Sequence, residues 1–202
     1  MTTSNTVAQQ LEGVVDALNH KITPSSNHED GRVNSIDDEA SIIALLKTLY
    51  GDDVEEPKAR HWWDVKIFGH PVQIKSSSFA GADNFSSKAA ILYALTQLDE
   101  EQVQVKSWRQ FEEALLGTAT HDNNRDYFII TLNKTDGKVY LTSLKTLNKL
   151  QPNGNNLPFQ INWKQNTTSV TRTHTEAYHF IVDAYKASVT KKINTHPLYD
   201  LL

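Results

Sequence analysis

His61-Trp62-Trp63-Asp64-Val65-Lys66-Ile67-Phe68 and Val72-Gln73-Ile74-Lys75-Ser76, separated by Gly69-His70-Pro71, read as two strands of an antiparallel hairpin. Period-two alternation puts Val65, Ile67, Val72 and Ile74 on one face and Asp64, Gln73 and Lys75 on the other. Burying an unpaired Asp or Lys costs about several kcal/mol. A strand flanked by helices therefore has little use for these groups unless they pair with each other or perform a task.

Working outward, Ser35 with Asp38 three residues on reads as a capping box, followed by the apolar set Ile42, Ile43, Leu46 and Leu49 and a stop at Gly51. A helix is expected over residues 4–19, where Val7, Leu11, Val14, Val15 and Leu18 recur at helical spacing, and residues 20–34 read as a loop. Downstream, helices are expected at 85–98 and 107–116. A second hairpin follows at 127–133 and 138–141 around Asp136-Gly137, then a short helix near 143–150 and a strand at 158–164. Residues 173–192 read as a long amphipathic helix. Strands and helices alternate, so the expected class is α/β or α+β, a single domain over 1–202 with one central mixed sheet flanked by helices.

Composition narrows the function. The 202 residues are 39% hydrophobic and 22% charged, which fits a folded globular chain rather than a disordered one. With no Cys, thiolate zinc sites, disulfides and cysteine nucleophiles are excluded together, in keeping with a cytoplasmic protein. The opening MTTSNTVAQQ has neither a basic nor an apolar leader region, and no apolar run approaches a membrane span, so no membrane role is expected. The formal net charge of -4 means that a nucleic-acid partner needs a local positive patch. The eight His include no HExxH pattern, and there is no phosphate-cradling glycine loop and no G-x-S-x-G. Kinase, NTPase and serine hydrolase chemistries drop out.

Asp64 followed by Gln73-Ile74-Lys75 resembles the motif of the PD-(D/E)xK nucleases, an acid on one strand and a (D/E)xK triplet on the next. The flanks resemble more narrowly the type II restriction endonucleases of that superfamily: ARHWWDVKI (59–67), PVQIKSSSFAGADNFSSKAA (71–90), DYFIITLNKTDGKVYLTSLKTL (126–147) and NNLPFQINWK (155–164). The likeness covers about residues 35–165. It implies a restriction-endonuclease-like core and Mg2+-dependent, sequence-specific hydrolysis of double-stranded DNA. A homodimer is also implied, the helices at 4–19 and 173–192 being candidate dimerisation or DNA-embracing elements. Gln73 departs from the pattern, since the family usually places a carboxylate there.

Hydrolysing a phosphodiester requires an activated water and a cation to absorb charge, both supplied by a hard divalent ion on oxygen ligands. By the resemblance, Asp64 is the principal metal ligand, Gln73 offers a carbonyl oxygen to the metal or the water, and Lys75 stabilises hydroxide and phosphate. Glu39, three, four and seven positions before Ile42, Ile43 and Leu46, projects from the core-facing stripe of its helix. Some relatives hold a glutamate there, so Glu39 is a candidate catalytic and metal-ligating carboxylate; its alternative is to complement a helix N-terminus. For the triad, the alternative is an Asp64–Lys75 ion pair on the exposed face of an edge hairpin.

For DNA contact the candidates are Ser76 and Ser77 toward phosphate, Asn84 and Lys88 by resemblance, and Asn155, Asn156, Gln160, Asn162 and Lys164 around the 158–164 strand, where Phe159, Ile161 and Trp163 would face inward. The same residues also suit a plain turn and a half-exposed strand. Two rival functions stay open: a repair or junction-cleaving nuclease of the same fold, and a non-catalytic DNA-binding module whose site has decayed.

Overall fold

The structure, a computed structural model, describes residues 3–24, 31–118, 124–154 and 158–194. In chain order its elements are α1 (Thr3–Asn19), α2 (Gly31–Tyr50), β1 (Val54–Glu55), β2 (Val65–Ile67), β3 (His70–Ser77), β4 (Ala82–Phe85), α3 (Lys88–Leu95), α4 (Trp108–Thr118), β5 (Phe128–Asn133), β6 (Val139–Ser143), β7 (Gln151–Pro152), β8 (Phe159–Asn162) and α5 (His174–Asn194). The class is α+β. Instead of one sheet there are two, a five-stranded sheet ordered β1-β2-β3-β5-β6 and a three-stranded sheet ordered β4-β8-β7. Contacts cluster into two compact units, Met1–Ala80 with Asp126–Leu144, and Gly81–Arg125 with Lys145–Leu202.

In the first unit, β3 pairs antiparallel with β2 and parallel with β5, so the sheet is mixed. Leu11, Val14, Val15 and Leu18 of α1 and Ile42 and Leu46 of α2 pack with Val65, Ile67, Val72, Ile74, Ile130, Leu132 and Val139 in one core. The hairpin face expected to be apolar is therefore the one the helices cover. The β2–β3 turn is Phe68-Gly69, with φ of 52° and 77°. Positive φ at both central residues is what a two-residue turn needs to match the strand twist. Pro71 thus lies inside β3, one residue before its pairing with β5 begins at Val72 and Phe128, where its missing N–H costs no bond to that strand. At the far edge, Asn19 at the end of α1 donates to the carbonyl of Val139 at 3.1 Å and accepts its N–H at 2.6 Å, closing off part of β6.

The expected helix start at Ser35 is too late. α2 already runs from Gly31, so Ser35 and Asp38 lie inside it and form no capping box. Their side chains look inward instead: the Ser35 hydroxyl accepts from Lys134 at 3.3 Å and Asp38 from Ser76 at 2.7 Å.

In the second unit, α3 begins at Lys88 rather than 85, because Ala82–Phe85 pairs with β8 and the Ser87 hydroxyl caps the helix through the Ala90 N–H at 3.2 Å. The helix expected near 143–150 is absent. Leu144, Leu147 and Leu150 are buried at helical spacing, but the carbonyls a helix would use are taken elsewhere: Arg172 holds those of Lys145 and Leu147, and Val170 N–H donates to that of Thr146. The α5 start is a true capping box, with Glu176 accepting the Thr173 N–H at 2.7 Å and Thr173 accepting the Glu176 N–H at 3.2 Å. α5 packs on the sheet through Tyr185 and Phe159, whose ring centroids are 5.9 Å apart.

Gly154 fixes that docking. Its φ is +72°, its N–H donates to Ser188 at 3.1 Å, and a Cβ there would lie 2.8 Å from Lys191 Cγ. Gly154→Ala is expected to destabilise the protein by about 1 kcal/mol or more through the left-handed backbone, with the clash adding to it. Urea melts of the two forms measure the difference, and an unchanged midpoint would contradict the packing described.

Candidate active site at the edge of β3

The candidate site forms where β2 stops and β3 continues. Val65 pairs with Val72 and Asp64 N–H still donates to the Val72 carbonyl at 3.1 Å, but beyond this the chain before Asp64 turns away. The next two N–H groups on that edge, at Ile74 and Ser76, have no strand to receive them. Each is met by a carboxylate: Asp64 Oδ2 accepts from Ile74 at 2.8 Å, and Glu39 Oε1 accepts from Ser76 at 3.3 Å. Since a strand rises about 3.3 Å per residue, these N–H groups are roughly 6.7 Å apart and point the same way. The two acids are thereby set side by side along one backbone edge.

Glu39 comes from α2, more than two turns beyond its start, so it does not serve the helix N-terminus. Its neighbour Asp38, 1% exposed, grips the Ser76 hydroxyl, with the Lys134 ammonium 4.0 Å away. Consecutive acids of α2 thus hold the side chain and the backbone of one β3 residue. The sequence reading missed Asp38 in this role because the capping-box pattern offered it another.

Lys75 acts on both Asp64 and Glu39 through space, lowering the proton affinity of each. Among the described residues neither carboxylate forms a close ion pair with it, so the arrangement is not the simple Asp64–Lys75 pair of an edge hairpin. Gln73 lies two residues before Lys75 on the same face of β3 and half-buried, and its Oε1 is buried with no hydrogen-bond partner among the described residues. On β5 the Cα partner of Lys75 is Thr131, also buried with its hydroxyl unbonded. A β-branched residue in a strand carries no sequence signal for such a position. Leaving buried acceptors unsatisfied costs about 1–3 kcal/mol each, which suits a place where another polar group binds.

Burial is the leading influence on both acids and raises the pKa of each, outweighing Lys75 and the N–H bonds that Ile74 gives Asp64 and Ser76 gives Glu39. Two carboxylates on this edge, and the unbonded carboxamide oxygen of Gln73 on the same strand, are oxygen donors of the kind a hard divalent cation takes. Among the described residues no group of three or more His, Cys, Asp or Glu is arranged to hold a metal. Beside the site, Tyr127 is buried and donates to the Trp62 carbonyl at 2.9 Å, and burial beside Asp64 holds its phenol protonated well above the usual range. Trp63 is buried, and Trp62 packs on Tyr127 at 5.7 Å. Both tryptophans are packing residues.

The remaining sequence candidates fall into distinct environments. Ser76 is buried with its hydroxyl committed to Asp38, whereas the Ser77 hydroxyl accepts from Phe79 N–H at 3.4 Å. In the second unit, Asn84 and Lys164 are exposed and Gln160 and Asn162 half-exposed, while Lys88 lies over the Trp108 ring at 4.8 Å. Asn155 and Asn156 lie outside the described residues.

A carboxyl whose folded pKa is raised makes the protein lose stability as pH climbs from its unfolded value, 3.8 for Asp64, through the raised one. Asp64→Asn keeps an acceptor for Ile74 and removes that penalty. Metal-free Asp64→Asn protein should melt at or above the wild-type temperature at pH 7, and the gap should close below about pH 4. Scanning calorimetry across this range is the check; a variant markedly less stable at pH 7 would mean that the charge is well compensated. No protein-family model matches the chain, and no curated protein matches it.

Proposed function

We propose that the protein is a Mg2+-dependent endonuclease of restriction-endonuclease-like fold that hydrolyses double-stranded DNA at a short fixed sequence, as a type II restriction enzyme does. The observation that carries this reading is the pair of carboxylates from α2 and from just before β2, aligned on successive outward N–H groups of β3, the strand that also carries Gln73 and Lys75. A purely structural edge would be closed more cheaply by another strand or by neutral side chains, since two partly buried acids repel each other and resist ionisation.

Asp64, Glu39 and Gln73 would hold the ion. Two carboxylates and a carboxamide oxygen fit a cation with a strong preference for oxygen, and Glu39 makes up for the carboxylate that the nuclease motif has and Gln73 lacks. When bound, the ion would supply Lewis-acid stabilisation of charge building on the phosphate and lower the pKa of water. The chain's own residues do the rest. Lys75 stands two residues from Gln73 and so on the same face of β3, where its ammonium offsets negative charge on the attacking oxygen and the scissile phosphate. Asp38 and Ser76 keep Glu39 from swinging away. The parallel pairing of β3 with β5 fixes the strand that carries Gln73 and Lys75, so the groups do not need to reorganise during the reaction.

The expected result is discrete fragments when purified protein meets plasmid DNA and Mg2+. Asp64→Ala and Lys75→Ala should each lower cutting by roughly 100-fold or more while far-UV circular dichroism stays unchanged. Glu39→Gln should raise the Mg2+ concentration needed for cutting and shrink the Mg2+-induced rise in melting temperature together. Intact plasmids across several sequences and divalent ions, with no thermal shift on adding Mg2+, would overturn the proposal. Preference for branched over linear duplex would redirect it to a junction-cleaving enzyme.

A further inference from the structure

We infer that the outward face of the three-stranded sheet reads an adenine edge in the DNA major groove, with Asn84 and Gln160 acting as one pre-oriented hydrogen-bonding pair. The inference rests on the nuclease reading for its ligand and names part of what that enzyme recognises.

The register builds the face. Asn84 is the Cα partner of Gln160, Ala82 that of Asn162, and Gln151 lies on the other side of Gln160. These residues alternate with Phe85, Phe159 and Ile161, which are buried, Phe159 against Tyr185 of α5. This side of the three strands carries carboxamides and no charge, with Asn84 exposed, Gln160 half-exposed and Asn162 Oδ1 buried. The one acid of these strands, Asp83, is on the opposite face, where the Trp163 indole N–H donates to it at 2.6 Å.

Within this face the hydrogen bonds set the direction of each amide. Asn153 Nδ2, from a buried residue, and Gln160 Nε2 both donate to Asn84 Oδ1, at 3.1 and 3.3 Å. Rotating the Asn84 carboxamide alone by half a turn would set its NH2 against two other NH2 groups, so the three amides are oriented as one set. Asn84 then presents Nδ2–H outward as a donor, and Gln160, having given an Nε2–H inward, presents Oε1 as an acceptor. Adenine offers N7, an acceptor, and N6–H, a donor, in the major groove. Guanine offers two acceptors there, one of which would confront Oε1, and cytosine offers only a donor.

Charge suits the same partner. Lys149 and Lys164 are both exposed, and Asn166 ties their segments together, accepting the Lys149 N–H at 2.9 Å and donating to the Asn162 carbonyl at 2.8 Å. Two exposed lysines on segments tied together next to the end of β8 suit phosphates flanking a base edge.

The test uses the full chain. Duplexes from a random library are selected by binding without Mg2+, sequenced, and then offered with Mg2+ for cutting. Wild type should select an invariant A·T pair. Asn84→Asp, which keeps the acceptor oxygen for Asn153 and Gln160 while replacing the outward donor, should lose that preference by roughly tenfold or more, and so should Gln160→Ala. Placing 7-deazaadenine at the selected position should weaken wild-type binding by a similar factor and Asn84→Asp binding no further. Selected sequences without an A·T pair, variants that retain the wild-type preference, or no selection at all would each overturn the inference. Selection of the A·T pair with uncut DNA would instead remove the nuclease proposal and leave the reading face standing.

Discussion

Two backbone N–H groups left without a strand determine the chemistry of the first unit. Because β2 begins only at Val65, Ile74 and Ser76 on β3 must find acceptors elsewhere, and the acceptors at hand are carboxylates. A carbonyl from another strand would satisfy the same donors but leave nothing reactive. Carboxylates satisfy them with one oxygen each and keep the other oxygen and the charge in reserve. The short β2 is thus the feature that opens the edge, and the acids at 39 and 64 are what fills it. Because burial dominates their titration, both are held in a condition that a positive partner relieves.

The way Glu39 reaches this edge depends on α2. The helix lies on the apolar face of the sheet through Ile42 and Leu46, and neighbouring positions on a helix diverge by about 100°. Asp38 and Glu39 therefore cannot do the same thing. Asp38 drops onto the Ser76 hydroxyl, which faces the helices, while Glu39 meets the Ser76 backbone at the side. One strand residue thus reports the position of the helix to the site, and a shift of α2 along the sheet would move a carboxylate. With Lys134 4.0 Å from Asp38, the buried charge has a partner that holds α2 in place.

Much of this was legible in the sequence because it is written in periodicity. The alternation of Val65, Ile67, Val72 and Ile74 gave the correct buried face, and with it the shared side of Gln73 and Lys75. Helical spacing located α1 and α5 within two residues at each end, from 4–19 and 173–192 to Thr3–Asn19 and His174–Asn194. Glu39, placed by spacing on the apolar stripe, lies at the side of the sheet against the Ser76 N–H, and the buried position is that of Asp38. What failed was decided by tertiary competition for backbone groups. Leu144, Leu147 and Leu150 have helical spacing, yet Arg172 and Val170 claim the carbonyls that a helix there would need. Ser35 and Asp38 have capping spacing, yet the helix extends past them, and their side chains serve Lys134 and Ser76. Neither outcome can be read locally, because the competing group is 24 to 99 residues away in the chain.

The split into two sheets has the same origin. Phe85 carries an apolar side chain next to a helix-forming run, so periodicity alone extends the helix backward over it. The register with Phe159 instead commits Ala82–Phe85 to a strand, and Ser87, not Asp83 or Asn84, becomes the cap. That small change releases Asp83 and Asn84 to opposite sides of a sheet. Asp83 is drawn to the Trp163 indole on one side, and Asn84 joins Gln160 and Asn153 on the other. An Asn at a helix cap would have spent its oxygen on a backbone N–H. As a strand residue it spends that oxygen on two amides and turns its donor outward, so the strand pairing itself decides what this side chain has left to offer.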